Sequence, residues 1–172
     1  AWRIEKSSGH NYLAQTFRNT TFKHTHPIVV TGDPEWRDYT LSVRVIPETE
    51  KGQCGVLFNY QNDRCYYFFG MVEDEMVIKL VQHETEFRKP NEKILARAPY
   101  KRKVRESADL NVMLEKGKIS AWIVGTLGIS AQDETYTSGK IGLLSDIPAQ
   151  YRLVEATTSM KVGNEIRADI QK

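Results

Sequence analysis

No apolar run in this chain approaches the roughly 18 residues a membrane-spanning helix needs. Helical periodicity is nearly absent as well, which argues against an α/β or helical fold. Charge of one sign is not in excess: 24 Lys plus Arg stand against 22 Asp plus Glu, a net charge of +2, so there is no broad electrostatic case for nucleic acid. A nucleophile elbow, a phosphate-binding loop, a dinucleotide-binding glycine pattern and a Cys-x-x-Cys pair are all missing.

There are only two cysteines, Cys54 and Cys65. If residues 61–64 form a turn, Cys65 follows it directly. Cys54 then lies at the far end of the partner strand, roughly 18 Å away at about 3.3 Å per residue. A disulfide needs Cα atoms within about 7 Å. Both therefore read as reduced or buried, and the redox compartment stays open. The chain begins Ala-Trp, without an initiator Met or a charged-then-apolar leader. The expectation is a module cut from a longer extracellular or periplasmic protein.

What the sequence does contain is alternation. In Tyr39 to Ile46, Leu41, Val43 and Val45 alternate with Thr40, Ser42 and Arg44, the period of a strand with one face in a core. Residues 55–61 repeat the pattern, with Val56, Phe58 and Tyr60 on the core side and Leu57, Asn59 and Gln61 opposite. After the polar turn Gln61 to Arg64, an aromatic strand returns from Cys65 to Phe69. Further strands are predicted at residues 12–17, 28–31, 76–83, 110–114, 118–124, 139–144 and 151–160, with Glu115, Lys116 and Gly117 as one tight turn. A short helical turn is allowed only between Glu92 and Ala108. About ten or more short strands predict a single domain of two packed antiparallel sheets over residues 1–160. Residues 161–172 read as a terminal strand or a linker to a further domain.

Candidate chemistry is sparse. His24 and His26 would share one strand face, but a third metal ligand at readable spacing is missing. Glycoside hydrolysis needs two carboxylates about 5 to 10 Å apart. The candidates are Glu73, Asp74 and Glu75, which read as a hairpin turn, and Glu84 with Glu86, which read as a charged strand end. The basic run Tyr100 to Arg105 is either a solvated loop or a contact for an anionic saccharide.

Several segments in order resemble one superfamily: Trp36 to Val45, then Gly55 to Phe58 with Tyr66, Tyr67 and Phe68, then Lys79, then Tyr136 through Gly139 to Leu143. The succession is similar to the concanavalin A-like lectin and glucanase superfamily. It stands nearest the laminin-G-like branch that includes levan-binding carbohydrate-binding modules and 3-keto-disaccharide hydrolase-like domains. The likeness runs from Trp2 to Thr158. It implies a jelly roll with sugars on the concave sheet or its rim loops. The chain departs from the pattern at Asn59, where relatives carry Arg, at Val124-Gly125 in place of Asp-Gly, and at Glu155 in place of Asp. The carboxylate pattern of laminarinase-like glucanases and the signatures of jelly-roll alginate lyases are absent.

Parity then marks a sugar face. With Leu41, Val43, Val45, Val56 and Phe58 inward, Arg44, Asn59, Gln61 and Lys79 project from the other side, where amides and guanidinium groups suit vicinal hydroxyls. Tyr66, Phe68 and Trp122 have the parity to supply a flat ring for the C–H face of a pyranose. The alternative is that these residues are covered and form a second small core. Trp2 and Trp36 read as structural anchors. By the resemblance, Glu155 together with N-terminal carbonyls would be the place of a structural calcium. The reading is a carbohydrate-binding β-sandwich module for an oligo- or polysaccharide, tethered to other domains of a larger polysaccharide-acting protein. The alternative is a glycoside hydrolase or polysaccharide lyase of the same fold, and a laminin-G-type protein-interaction module is a third.

Overall fold

A computed structural model describes residues 2–7, 10–16, 27–83, 91–158 and 167–169. Among them there is no helix. The strands are β1 (Trp2–Ser7), β2 (His10–Gln15), β3 (Ile28–Thr31), β4 (Tyr39–Pro47), β5 (Gln53–Asn62), β6 (Cys65–Val72) and β7 (Glu75–Gln82). They continue as β8 (Glu92–Pro99), β9 (Ala108–Glu115), β10 (Lys118–Ile123), β11 (Ile129–Gln132), β12 (Lys140–Ser145), β13 (Ala149–Thr158) and β14 (Arg167–Asp169). One sheet runs β1-β2-β13-β4-β9-β10-β11, with β14 also on β13, and the other runs β3-β12-β5-β6-β7-β8. Every pairing in both sheets is antiparallel. The result is the expected jelly-roll sandwich.

The core lies between the sheets. The strict alternation in β4 buries Tyr39, Leu41, Val43 and Val45 and leaves the residues between them half-exposed. Opposite them lie Val56, Phe58, Phe69 and Ile78 from the six-stranded sheet, with Leu110, Val112 and Ile123 beside them. Each such side chain contributes roughly 1.5–3 kcal/mol on burial. Trp2 lies 5.4 Å from the Tyr151 ring and Trp36 lies 6.4 Å from Tyr39, both as anchors. Cys54 and Cys65 are free thiols.

β5, β6 and β7 are buried on both faces, which is why their sequence reads as a near-continuous apolar run. The outer side holds a second small core of Leu57, Tyr66, Phe68, Val81 and Leu144. Phe68 reaches over Gly55 and Gly70, which face each other across the pair. A Cβ on Gly70 would sit 2.4 Å from the Cys54 carbonyl.

Four sequence expectations need correction. A bulge between Phe58 and Asn62, with Asn59 at φ 44°, reverses the parity of β5. Asn59 therefore turns inward and is 6% exposed, while Tyr60 turns outward to stack on Tyr66 at 6.2 Å. The expected helical turn after Glu92 is the edge strand β8, whose helix-tolerant Glu-Lys-Ile-Leu-Ala-Arg-Ala run is overruled by pairing with β7. In the basic loop, Arg102 is buried and donates to the carbonyls of Gly52 and Glu73, while Lys101, Lys103 and Arg105 stay exposed. The N-terminal strand ends at Gln15, and β1 and β11 escaped prediction because each is short and carries few apolar residues.

Candidate functional site

The outer face of the eight-stranded sheet is polar and open. Pairing aligns Trp122 with Asn111, Asn111 with Ser42, and Ser42 with Glu155 in one row across β10, β9, β4 and β13. At about 4.8 Å between strands the row spans about 14 Å. The Ser42 hydroxyl donates to Asn111 Oδ1 at 2.8 Å, which fixes the amide in the middle of the row. One step along β4, the Arg44 guanidinium donates to Asp109 at 2.8 Å and 3.3 Å, a forked pair that holds the planar group flat on the sheet. The Asp109 carboxylate, as hydrogen-bond partner and as charge, pushes the Arg44 guanidinium further into its protonated form. Arg152, next to Arg44 in register, lies 4.7 Å over the Tyr12 ring.

Trp122 is half-buried near the end of β10 on this face and lines an open groove of about 320 Å³ with Lys118, Ser120, Leu127, Ile129 and Ser130. Leu127 and Gly128, from the loop of residues 124–128, form its wall. Thr126 holds that loop by donating its hydroxyl to the Ile123 carbonyl at 2.7 Å, which leaves Leu127 wholly exposed and Val124 62% exposed. An indole with an aliphatic wall and two flanking serines offers an apolar surface beside hydroxyl partners. Among the described residues no carboxylate lines the groove.

The residues marked from sequence fall in three places. Arg44, Trp122 and Glu155 share the face just described. Lys79 and Tyr66 point outward from the other sheet, inside or beside the second core. Tyr66 is 1% exposed, and Lys79 is 8% exposed, bonded to Gln53 and to Glu92 Oε1 at 2.8 Å, with its ammonium 5.0 Å from the Phe68 ring centre. The alternative weighed for that face, a covered second core, is the one the packing adopts. Asn59 and Gln61 lie at one end of the sandwich. Gln61 is exposed and donates to the Ser138 carbonyl at 2.5 Å. Asn111, Asp109, Ser42 and Leu127 were missed. The first three carried a signal in the outward parity of β4 and β9, but only the register of β4 on β9 places them beside Trp122.

Glu155 is half-buried, and among the described residues no three His, Cys, Asp or Glu side chains converge to hold a metal ion. Glu73 and Asp74 form the β6–β7 turn as expected, with Asp74 paired to Lys51 at 2.6 Å. His24, His26, Glu84, Glu86 and Phe17 lie outside the described residues.

No protein-family model matches the chain, and no curated protein sequence matches it. Solved structures do. The carbohydrate-binding module CBM66 from Bacillus subtilis superposes on 91% of this chain and 91% of its own, with a TM-score of 0.71 at 13% identity. The fold is the two-sheet antiparallel β-sandwich of that module. Two further structures share it at lower similarity. The GH43 protein BlXynB from Bacillus licheniformis has a TM-score of 0.59 at 14% identity, over 88% of this chain and 33% of its own. CG-16, a homodimeric agglutinin from chicken liver, has a TM-score of 0.52 at 10% identity, over 77% of this chain and 99% of its own. A β-sandwich of this kind hosts binding and catalytic sites alike, so the function rests on the side chains of the face.

Proposed function

We propose that this protein is a carbohydrate-binding module that holds an oligo- or polysaccharide on the outer face of its eight-stranded sheet. The observation that carries the reading is the row from Trp122 through Asn111 and Ser42 to Glu155, flanked by the Arg44–Asp109 pair. Trp122 stacks on the C–H face of one sugar ring, and the amide, hydroxyl and guanidinium groups meet hydroxyls of the next rings along the row. The likeness to a carbohydrate-binding module over nearly the whole of both chains supports this reading. Its natural setting is outside the cytoplasm, attached to a larger polysaccharide-acting protein.

The test is retention of the purified protein on a panel of polysaccharides, with chromatography of every ligand for new products and with calcium present or chelated. Retention without cleavage, weakened by Trp122→Ala, supports the module. New products would move the protein to the glycoside hydrolase or polysaccharide lyase class, and binding to no glycan would sink the reading.

A further inference from the structure

At one end of the sandwich five segments converge on a second, more enclosed cavity of about 240 Å³. They are the loop into β4, the β5 bulge, the start of β6, the β9–β10 turn and the loop between β11 and β12. Dividing by the roughly 30 Å³ share of a liquid water gives room for about eight waters, enough for one ring and too little for a chain.

Asn59 lies in the wall. Its backbone N–H donates to the Tyr39 hydroxyl at 2.7 Å, and its side-chain Nδ2 donates to the Tyr136 carbonyl at 3.0 Å, which sets the amide orientation. Its Oδ1 is buried with no hydrogen-bond donor. A bare buried acceptor is costly and needs an explanation. Gly139 permits the arrangement, because a Cβ there would sit 2.4 Å from the Asn59 carbonyl carbon. Beside it the Tyr67 hydroxyl donates to Asp133, and the Tyr136 N–H donates back to that hydroxyl at 3.3 Å. The Tyr67 and Tyr136 rings meet edge to face at 5.8 Å.

Charge decides the ligand class. Arg37, Lys116 and Lys118 are matched by Asp38, Asp133 and Glu134 around the same cavity. The Lys116 N–H donates to Asp38 Oδ1 at 3.0 Å, which ties one edge down. A balanced rim gives neither an anion nor a cation an advantage, while acceptors and donors side by side suit hydroxyl groups, which are both.

We propose that this cavity, which shares Lys118 with the Trp122 groove, is a second ligand site for a single neutral polyhydroxylated ring such as one sugar residue or a cyclitol. The ring seats on the wall that Asn59, Tyr67 and Tyr136 share, its hydroxyls meeting the mixed donors and acceptors of the rim. The site deepens the carbohydrate reading and does not depend on the Trp122 groove.

The experiment is an NMR titration of the full chain with D-glucose, D-galactose, D-fructose and myo-inositol, together with Thr137→Trp, which fills the cavity from an exposed loop position. At least one ring should shift the Asn59 side-chain amide and the Tyr136 and Gly117 backbone signals saturably, with the Trp122 indole unmoved. Thr137→Trp should weaken that binding at least tenfold and leave polysaccharide retention unchanged. Shifts confined to Trp122, or none at Asn59 for any of the four rings, would overturn the second site. Polysaccharide retention, read separately, reports whether the reading of the open face fails with it.

Discussion

Arg44 and Asp109 face each other across β4 and β9 as a forked ion pair, and both side chains keep 39% of their surface in water. Water screens such a pair, so it contributes at most about 1 kcal/mol to stability. Its greater use is to hold the guanidinium plane still for a ligand. Asp109→Asn should leave the urea midpoint nearly unchanged and weaken saccharide binding about tenfold by calorimetry. A large stability loss with unchanged affinity would show a structural pair and nothing more.

Trp122→Ala separates binding from folding. Trp122 is half-buried, whereas Phe58 is fully buried in the core. Loss of ring stacking of about 0.5–1.5 kcal/mol corresponds to a roughly twofold to twelvefold fall in affinity. Phe58→Ala should instead cost about 3–5 kcal/mol of stability. Paired measurements of polysaccharide affinity and thermal midpoint on both variants check the contrast.

Tyr39→Phe tests the bulge. The phenol of Tyr39 accepts the Asn59 N–H at 2.7 Å in a fully buried setting, and burial pushes its ionisation well above the ordinary range. Removing the oxygen leaves that N–H bare, at a cost of about 1–3 kcal/mol by urea unfolding. A change below about 0.5 kcal/mol would mean that the bulge finds another acceptor and that Tyr39 does not anchor it.

Acid should act through Asp133. Burial pushes its carboxyl up, but the hydrogen bonds from the Tyr67 hydroxyl and the Thr135 N–H outweigh this and hold it below the ordinary 3.8. A carboxyl depressed in the folded state stabilises above its unfolded value and loses that contribution as pH falls through the folded value. Asp133→Asn should therefore lower the thermal midpoint by a few degrees at neutral pH, and the gap to the parent should narrow below pH about 4. A gap that is constant with pH would remove Asp133 from the acid response.

Thiol chemistry should divide the cysteines. Burial pushes the Cys54 thiol up to about 12, while Cys65 is only partly covered. A disulfide-exchange reagent at pH 8 should titrate no more than one thiol in the native protein and two in denaturant. Native labelling of Cys54 would contradict its place in the core.

Period-two alternation determined the fold class by itself, because residues such as Leu41, Val43 and Val45 have only one arrangement that buries them all: a sheet facing a second apolar layer. The turns at Asp63 and Gly117 and the absence of a disulfide were legible for the same local reasons. Only the tertiary structure decided which outward residues meet. Trp122 and Arg44 share a face because β9 lies between β10 and β4, while Lys79 and Tyr66, of equal parity, belong to the other sheet and are packed away. Strand order is set by long-range pairing, which leaves no mark on any one segment. The bulge at Asn59 is a second such case. One extra residue reverses every later side chain of β5, and the strain it carries is held by Tyr39, twenty residues earlier in the chain, and by Gly139 from the far loop.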